Sequence, residues 1–428
     1  MKDQNKMTTS KRTSFLTSQL KISEDWLAVW IGAGLIGLML IGLRVESPDF
    51  SWNLNGIHGI WSRNGSKVFG QFVVACLSIA IALPLMGKKI GPSLKVFCIV
   101  FLLTLLALIL GGNQLSQQFN LEAVIFSLGI GLLVGNLFNL PQWFREHLSS
   151  ELYVKIGLVL LGSSVIFGDI LKAGSLGLIQ ALVVVLSVWY FAFYLCKWLK
   201  VDSEMTMMIA SAVSICGVSA AIATSGAIKG DPKKLSYVIS MVLITAIPMM
   251  LLMPSAAQWM GLSQEVTGAW LGGSIDTSGA VVASGSLVGE TALQISTIVK
   301  FSQNVLLGLA AFAISLYWSY TQSPEAKDPE KKPTLRVIWE RFPKFVIGFI
   351  GASLLFSFLV SGEVYTEVKG SLKGLQQLWF ALAFTGIGLE TNFKDLFQVD
   401  NHKPLISFLT AQVFNVLVTL LLAILLFS

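Results

Sequence analysis

Residues 272–286 read GGSIDTSGAVVASGS, a stretch with one charge, four glycines and five hydroxyls set between strongly hydrophobic segments. Glycine inside a helix costs about 1 kcal/mol relative to alanine and admits dihedrals that other residues avoid. The stretch therefore predicts a helix that breaks, at Gly272-Gly273, where its neighbours run on. A second stretch, SICGVSAAIATSGAI (214–228), has the same character and predicts a break at Cys216-Gly217. At an offset of 60 the two share an initial Ser-Ile, Ala220 with Ala280, Ala223 with Ala283, and Thr224 with Ser284. Paired polar, glycine-broken segments are the best sequence pointer to a transporter's binding site.

The rest of the chain is a membrane protein's. Of 428 residues, 54% are hydrophobic and 13% charged, where soluble domains carry roughly 25% charged residues. A span needs about 20 largely apolar residues, and eleven segments qualify: 27–43, 68–86, 94–110, 122–138, 152–170, 176–199, 235–260, 293–318, 343–360, 378–396 and 404–427. The broken segments, 204–228 and 264–290, are ambiguous. The fold class is all-α and polytopic, with 11–13 transmembrane segments. Cys76, Cys98, Cys196 and Cys216 lie in apolar segments and suggest neither a disulfide framework nor a metal site. The net charge of +6 comes from scattered loop residues, so no nucleic-acid partner is expected. All three histidines lie in loops, which leaves an intramembrane hydrolase without its base, and no nucleotide-binding loop is present; an enzyme is not expected.

Residues 1–25 read as a cytoplasmic tail and 26–428 as the transmembrane domain. Basic residues favour the cytoplasm, which places the tail and the loop 319–342 inside and the C-terminus outside. Lys229, Lys233 and Lys234 are best explained if 204–228 dips in and returns. The chain also repeats: ELYVKIGLVLLGSSVIFGDIL (151–171) aligns with QLWFALAFTGIGLETNFKDLF (377–397), pairing Tyr153 with Trp379, Gly162 with Gly388 and Asp169 with Asp395. An odd number of crossings separates the copies, so inverted repeats are expected, at about 122–260 and 264–428. Inverted repeats belong to secondary transporters.

A break in a helix exposes amide N–H groups at a new N-terminus, where the helix dipole favours an anion. The candidate substrate-binding residues are Ser214, Cys216, Gly217, Ser219, Gly273, Ser274, Thr277 and Ser278, with Lys300 of the following span. Small residues of this kind also serve plain helix packing. Asp276 is different, because a carboxylate at depth is functional by default. Sodium or proton coupling, an ion pair with Lys300, and capping of the second half-helix are its open roles. Glu390, flanked by Gly386 and Gly388, is a second coupling candidate; Asp169 and Asp395 read as interfacial caps. A sodium ion near Asp276, held by hydroxyls and freed carbonyls, is the one cofactor suggested. Partners are a small solute or ion, the bilayer and, as one option, a second copy of the chain.

On the motifs GLVLLGS (157–163), SICGVSAAIA (214–223), GGSIDTSGAVVASG (272–285), Lys300 and LAFTGIGLETNF (382–393), the chain resembles the YeiH-like family of bacterial inner-membrane proteins, whose suggested role is sulfate export. The resemblance covers about residues 66–425. It implies a secondary carrier with inverted repeats and crossing, discontinuous helices that span, against the charge count. Where the family usually carries His-Asp and then Gln, this chain has Asp276, Thr277 and Ala280; where it often has an arginine after the lysine, this chain has Gln303. The function expected is a carrier of a small anion (sulfate, or a sulfonate- or carboxylate-like solute), coupled to sodium or protons. A cation/proton antiporter and an ion channel are the alternatives.

Overall fold

The computed structural model describes residues 22–53, 59–114, 116, 123–321, 339–340, 342–391 and 402–428. Most of the expected tail, the middle of the 319–342 loop and Asp395 lie outside the described residues. Among the described residues there is no strand, only an isolated bridge between Trp52 and Asn113. The helices fall into two compact units, each drawing on both expected repeats: Met1–Ser164 with Lys344–Glu390, and Val165–Pro343 with Thr391–Ser428. Among the described residues, six helices are long and apolar enough to cross a membrane.

Unit 1 contains α1 (Glu24–Leu40), α2 (Gly59–Leu85), α3 (Ile90–Gly111), α4 (Ala123–Leu137), α5 (Gln142–Glu146), α6 (Ser150–Leu161), α14 (Phe345–Leu354) and α15 (Gly362–Glu390). The first parts of the two similar stretches, 151–161 and 377–390, lie side by side here, on α6 and the second half of α15. Tyr153 and Trp379, paired by the alignment, are ring neighbours with centroids 5.8 Å apart. Gly157 leaves the space that the Phe380 ring fills. Lys155 is neutralised within the unit, pairing with Glu24 at 2.8 Å, Asp25 at 3.0 Å and Glu151 at 3.3 Å. Two expected spans differ, the first being 152–170, which is divided between a helix ending at Leu161 and the start of the helix Phe167–Trp198. Within the span predicted at 378–396, residues 378–390 are the end of a helix that starts at Gly362, whose first half, GEVYTEVKGSLKG, is too polar for a hydropathy window.

Unit 2 holds α7 (Phe167–Trp198), α8 (Ser203–Ser211), α9 (Val218–Ile228), α10 (Pro232–Trp259), α11 (Gln264–Ser274), α12 (Ser278–Val288), α13 (Glu290–Thr321) and α16 (Lys403–Phe427). Asp169 lies in the first turn of α7, exposed, with Ile166 and not Asp169 at the cap position. Both broken segments are here, and both fold back on themselves. A straight helix over 203–228 would separate its ends by about 39 Å at 1.5 Å per residue. Instead the Glu204 carboxylate accepts from the Asp231 N–H at 3.1 Å, and Lys234 reaches Asp202 at 2.7 Å and Glu204 at 3.2 Å. The segment is a helical hairpin whose two ends meet.

Residues 264–288 repeat the arrangement. The Gln264 side chain packs against Gly289, where an added Cβ would stand 2.5 Å from its Oε1, and accepts from the Ala292 N–H at 3.4 Å. The hairpins join opposite ends of α10, the first through residues 229–231 and the second through 260–263. The spanning geometry implied by the family resemblance is therefore corrected: each segment folds back on itself, as the lysines at 229, 233 and 234 suggested for the first. The returning arms, Val218–Ile228 and Ser278–Val288, keep the offset of 60 residue for residue.

The tips of the hairpins touch. Gly217 has φ +58°, which side chains rarely adopt, and a Cβ there would lie 2.6 Å from Val242 Cγ1 and 3.0 Å from Asp276 Cβ. The second break falls later than expected. Gly272 and Gly273 lie within α11, and the chain leaves the helix at Ile275–Thr277. Those two glycines serve close approach, Gly272 to the Ser296 backbone and Gly273 to the Gln180 amide and Thr419 methyl.

The hairpin topology predicts a labelling pattern. In a background lacking the four native cysteines, Asp202→Cys and Lys229→Cys should react with an impermeant thiol reagent from the same side of the membrane. Met260→Cys and Glu290→Cys should both react from the other. Labelling of 202 and 229 from opposite sides would mean the segment crosses. Gly217→Ala should lower stability by about 2 kcal/mol or more, from overpacking and an unfavourable φ together, read as a lower thermal unfolding midpoint.

Candidate functional site

A hairpin tip inside a membrane protein has a specific problem: the carbonyls of the last turn before the break lose their helical partners. In the first hairpin α8 passes into a π turn (Ala212–Cys216), where the Gly217 N–H donates to Ala212 O at 2.9 Å. The carbonyls of Val213, Ser214 and Ile215 are then satisfied from outside. Asn415 Nδ2 donates to Val213 O at 3.1 Å, Gln303 Nε2 to Ser214 O at 2.9 Å, and Lys300 Nζ to Ile215 O at 2.9 Å.

The second tip uses the same side chains. Gln303 Nε2 also donates to Gly273 O at 3.3 Å, and Asn415 Nδ2 to Ser274 O at 3.3 Å. Gln412 Nε2 donates to Ser274 O at 2.8 Å. Two amides thus each hold one carbonyl from either hairpin. Lys300 completes the set by donating to Gln303 Oε1 at 2.9 Å, which leaves one of its three N–H bonds unused by these contacts. Its side chain is only 1% exposed.

The returning arms present the opposite polarity. Helix α9 starts after Gly217 with no side-chain cap, so the N–H groups of Val218, Ser219 and Ala220 have no acceptor within the helix. Helix α12 is capped by Thr277, whose Oγ1 accepts from the Ala280 N–H at 3.3 Å, and its first N–H groups are those of Ser278 and Gly279. Ser219 is exposed and Val218, Thr277 and Ser278 are half-buried, so these turns open to the surface of the unit. Because Gly217 packs on Asp276, the two positive helix ends start from one contact.

Asp276 lies behind that opening, 2% exposed. It is not the cap, since Thr277 fills that position, and it makes no ion pair with Lys300. Its Oδ2 is buried without a hydrogen-bond partner, as are Ser274 Oγ, Thr297 Oγ1 and Asn304 Oδ1. Asn304 Nδ2 donates to Ser278 Oγ at 3.2 Å.

Of the residues singled out in the sequence, Cys216, Gly217, Ser274, Asp276, Thr277, Ser278 and Lys300 converge on the tips. The Ser214 hydroxyl is committed to its own helix, donating to Ala210 O at 2.7 Å. Gly273 is a packing position within α11, and Ser219 stands at the open end of α9. Glu390 belongs to unit 1, where Ser150 Oγ donates to it at 2.5 Å. The amide donors Gln303, Gln412 and Asn415 were not among the site residues, although their signal was present. AQVFNVLVT (411–419) and TIVKFSQN (297–304) each place polar side chains three to four residues apart on one face of an apolar helix.

Comparison with known proteins agrees with these motifs. A family model described as "Conserved hypothetical protein 698" matches residues 95–408. A UPF0324 membrane protein of Rhodopirellula baltica is 37% identical over 390 residues, covering 88% of this chain and 70% of its own length. One of Nitratidesulfovibrio vulgaris is 37% identical over 364 residues, covering 82% of this chain and 62% of its own. A more distant one, of Nitrosomonas europaea, is 26% identical over 440 residues, covering 87% and 89%. The chain thus spans less than two thirds of one of these relatives and most of the others. No solved structure matches the chain. The chain belongs to the UPF0324 family of membrane proteins, in keeping with the YeiH-like resemblance of its motifs.

Proposed function

We propose that the protein is a secondary carrier of a small anion, and that the anion binds where α9 and α12 begin. The observation that carries this reading is the pair of helix N-termini starting from one contact, one of them uncapped and open. Freed N–H groups and the helix dipole both favour negative charge, and the Ser219, Thr277 and Ser278 hydroxyls add donors. Hairpins that enter from opposite ends of α10, with arms in a constant register, suit alternating access around a fixed site. On this reading the anion is of the sulfate, sulfonate or carboxylate kind, and Asp276 is the coupling residue. The end of unit 2 carrying Lys197, Lys200, Lys229, Lys233 and Lys234 faces the cytoplasm of a bacterial plasma membrane.

A second reading, a cation/proton antiporter with no anionic substrate, draws on the unpartnered Oδ2 of Asp276. The two separate in one experiment. Purified protein is unfolded thermally in sulfate, ethanesulfonate, acetate or chloride at fixed pH and cation. A ligand specific to the folded state at 100 times its Kd stabilises by about 2.7 kcal/mol, so one or more anions should raise the midpoint by several degrees. Ser219→Asp should abolish that rise while leaving the protein as stable or more so, since an acid at a helix N-terminus is favourable but repels the ligand. An unfolding midpoint indifferent to every anion, or stabilisation that survives Ser219→Asp, would sink the anion reading.

A further inference from the structure

We infer that anion and proton bind together in this site: Lys300 is its fixed cation, and Asp276 takes up one proton as the anion enters. The inference rests on the carrier reading and names its coupling ion.

A metal ion would need an oxygen shell, and hard cations take six or more oxygen ligands at 2.0–2.6 Å. The freed carbonyls that could supply one are already engaged. Val213, Ser214, Ile215, Gly273 and Ser274 accept hydrogen bonds from Asn415, Gln303, Lys300 and Gln412. The Lys300 ammonium itself stands among these oxygens, held by Ile215 O and Gln303 Oε1 at 2.9 Å each. The unengaged buried oxygens do not form a substitute shell. Thr297 and Asn304 are seven residues apart on α13, about 10 Å along its axis, too far to ligate one ion. That leaves Asp276 Oδ2, Ser274 Oγ, Asn304 Oδ1 and the amide oxygens of Gln180 and Gln412, whose side chains pack on Gly273 and Ser274, still fewer than the six a hard cation takes. The carbonyls expected to hold sodium are therefore taken up by three amides and one side-chain cation.

Charge balance then selects the proton. With Lys300 ionised and Asp276 ionised the buried site is neutral, and an entering monovalent anion would leave it with one negative charge in excess, sulfate with two. Placing a proton on the Asp276 carboxylate restores neutrality with a monovalent anion and halves the excess with sulfate: carboxylate, proton and anion become carboxylic acid and bound anion, with no bond broken elsewhere. The new O–H also supplies a donor beside the helix ends, where the carboxylate offered only acceptors. The titratable group facing Asp276 is Lys300 of α13, and Lys300 in turn faces Cys216 of the π turn. On the other elements around the tips the charged residues lie near helix ends: Lys233 and Lys234 on α10, Glu265 on α11 and Lys403 on α16.

The test measures anion binding to the purified full chain from pH 6 to 9, with inorganic sulfate, ethanesulfonate and acetate as probes. Calorimetry in buffers of different ionisation enthalpy counts the protons taken up. One proton per anion and an apparent affinity weakening by up to tenfold per pH unit on the alkaline side are expected. Exchanging sodium for potassium or choline should change nothing. Asp276→Asn, which mimics the protonated acid, should bind the anion with a flat pH profile, and Lys300→Gln should bind it at least tenfold more weakly. Binding that is pH-flat in the wild type, or that requires sodium, overturns the inference while leaving the carrier reading intact. If no probe binds, both fall. The wild-type proton count decides the matter even if a variant fails to fold.

Discussion

Five backbone carbonyls at two touching hairpin tips are the constraint around which unit 2 is built. At membrane depth an unpaired backbone group costs several kcal/mol, so a helix can break there only if side chains arrive to replace its lost hydrogen bonds. The donors come from α13 and α16, and they are amide NH2 groups and one ammonium, which donate without accepting. Gln303 and Asn415 each bind a carbonyl from both hairpins. Neither tip can then shift against the other without releasing a buried acceptor, and an unsatisfied acceptor costs about 1–3 kcal/mol. The tips are consequently a single rigid piece, which is what a binding site built from backbone groups requires.

The same economy explains why small residues crowd these segments. A hairpin lays two arms against one neighbour, so both must approach it closely. Gly268 and Gly272 of the entering arm and Gly285 of the returning arm all face the α13 backbone or its short side chains, where a Cβ would collide. The glycines that mark the segment as unusual in sequence are thus mostly contact surfaces. The backbone freedom of glycine is needed at Gly217, where φ is +58°, and the second tip turns without any glycine at all.

That division explains which parts of the molecule were legible in the sequence. Composition and hydropathy defined an all-helical membrane protein, and the offset of 60 paired the stretches that contain the two arms. The break at Gly217 was readable because glycine there does conformational duty. The break at Ile275–Thr277 was misplaced to Gly272-Gly273 because close packing and turning leave the same letter in the sequence. Hairpin and span have the same length and composition, so only the lysines at 229, 233 and 234 distinguished them, by charge and not by pattern. Gln412 and Asn415 escaped notice because uncharged amides barely lower a hydropathy average. Their function follows from geometry, which puts them opposite carbonyls that no local sequence reveals as unpaired.

The two returning arms match in length and register, yet their first residues differ in a way that matters for binding. Thr277 gives α12 a hydroxyl cap, which occupies one of its freed N–H groups. Gly217 gives α9 nothing, so all three of its first donors remain to be satisfied by water or a ligand. An anion at the shared contact therefore gains more from α9 than from α12, and the hydroxyl of Thr277 is held in place by its own cap. Behind both, Asp276 sits where the negative end of α11 and the positive end of α12 come together. A permanently charged carboxylate there would compete with the anion for α12's donors; a neutral one would not. The asymmetry of capping thus concentrates anion affinity on α9 and leaves the second tip as the place where the site's charge is adjusted.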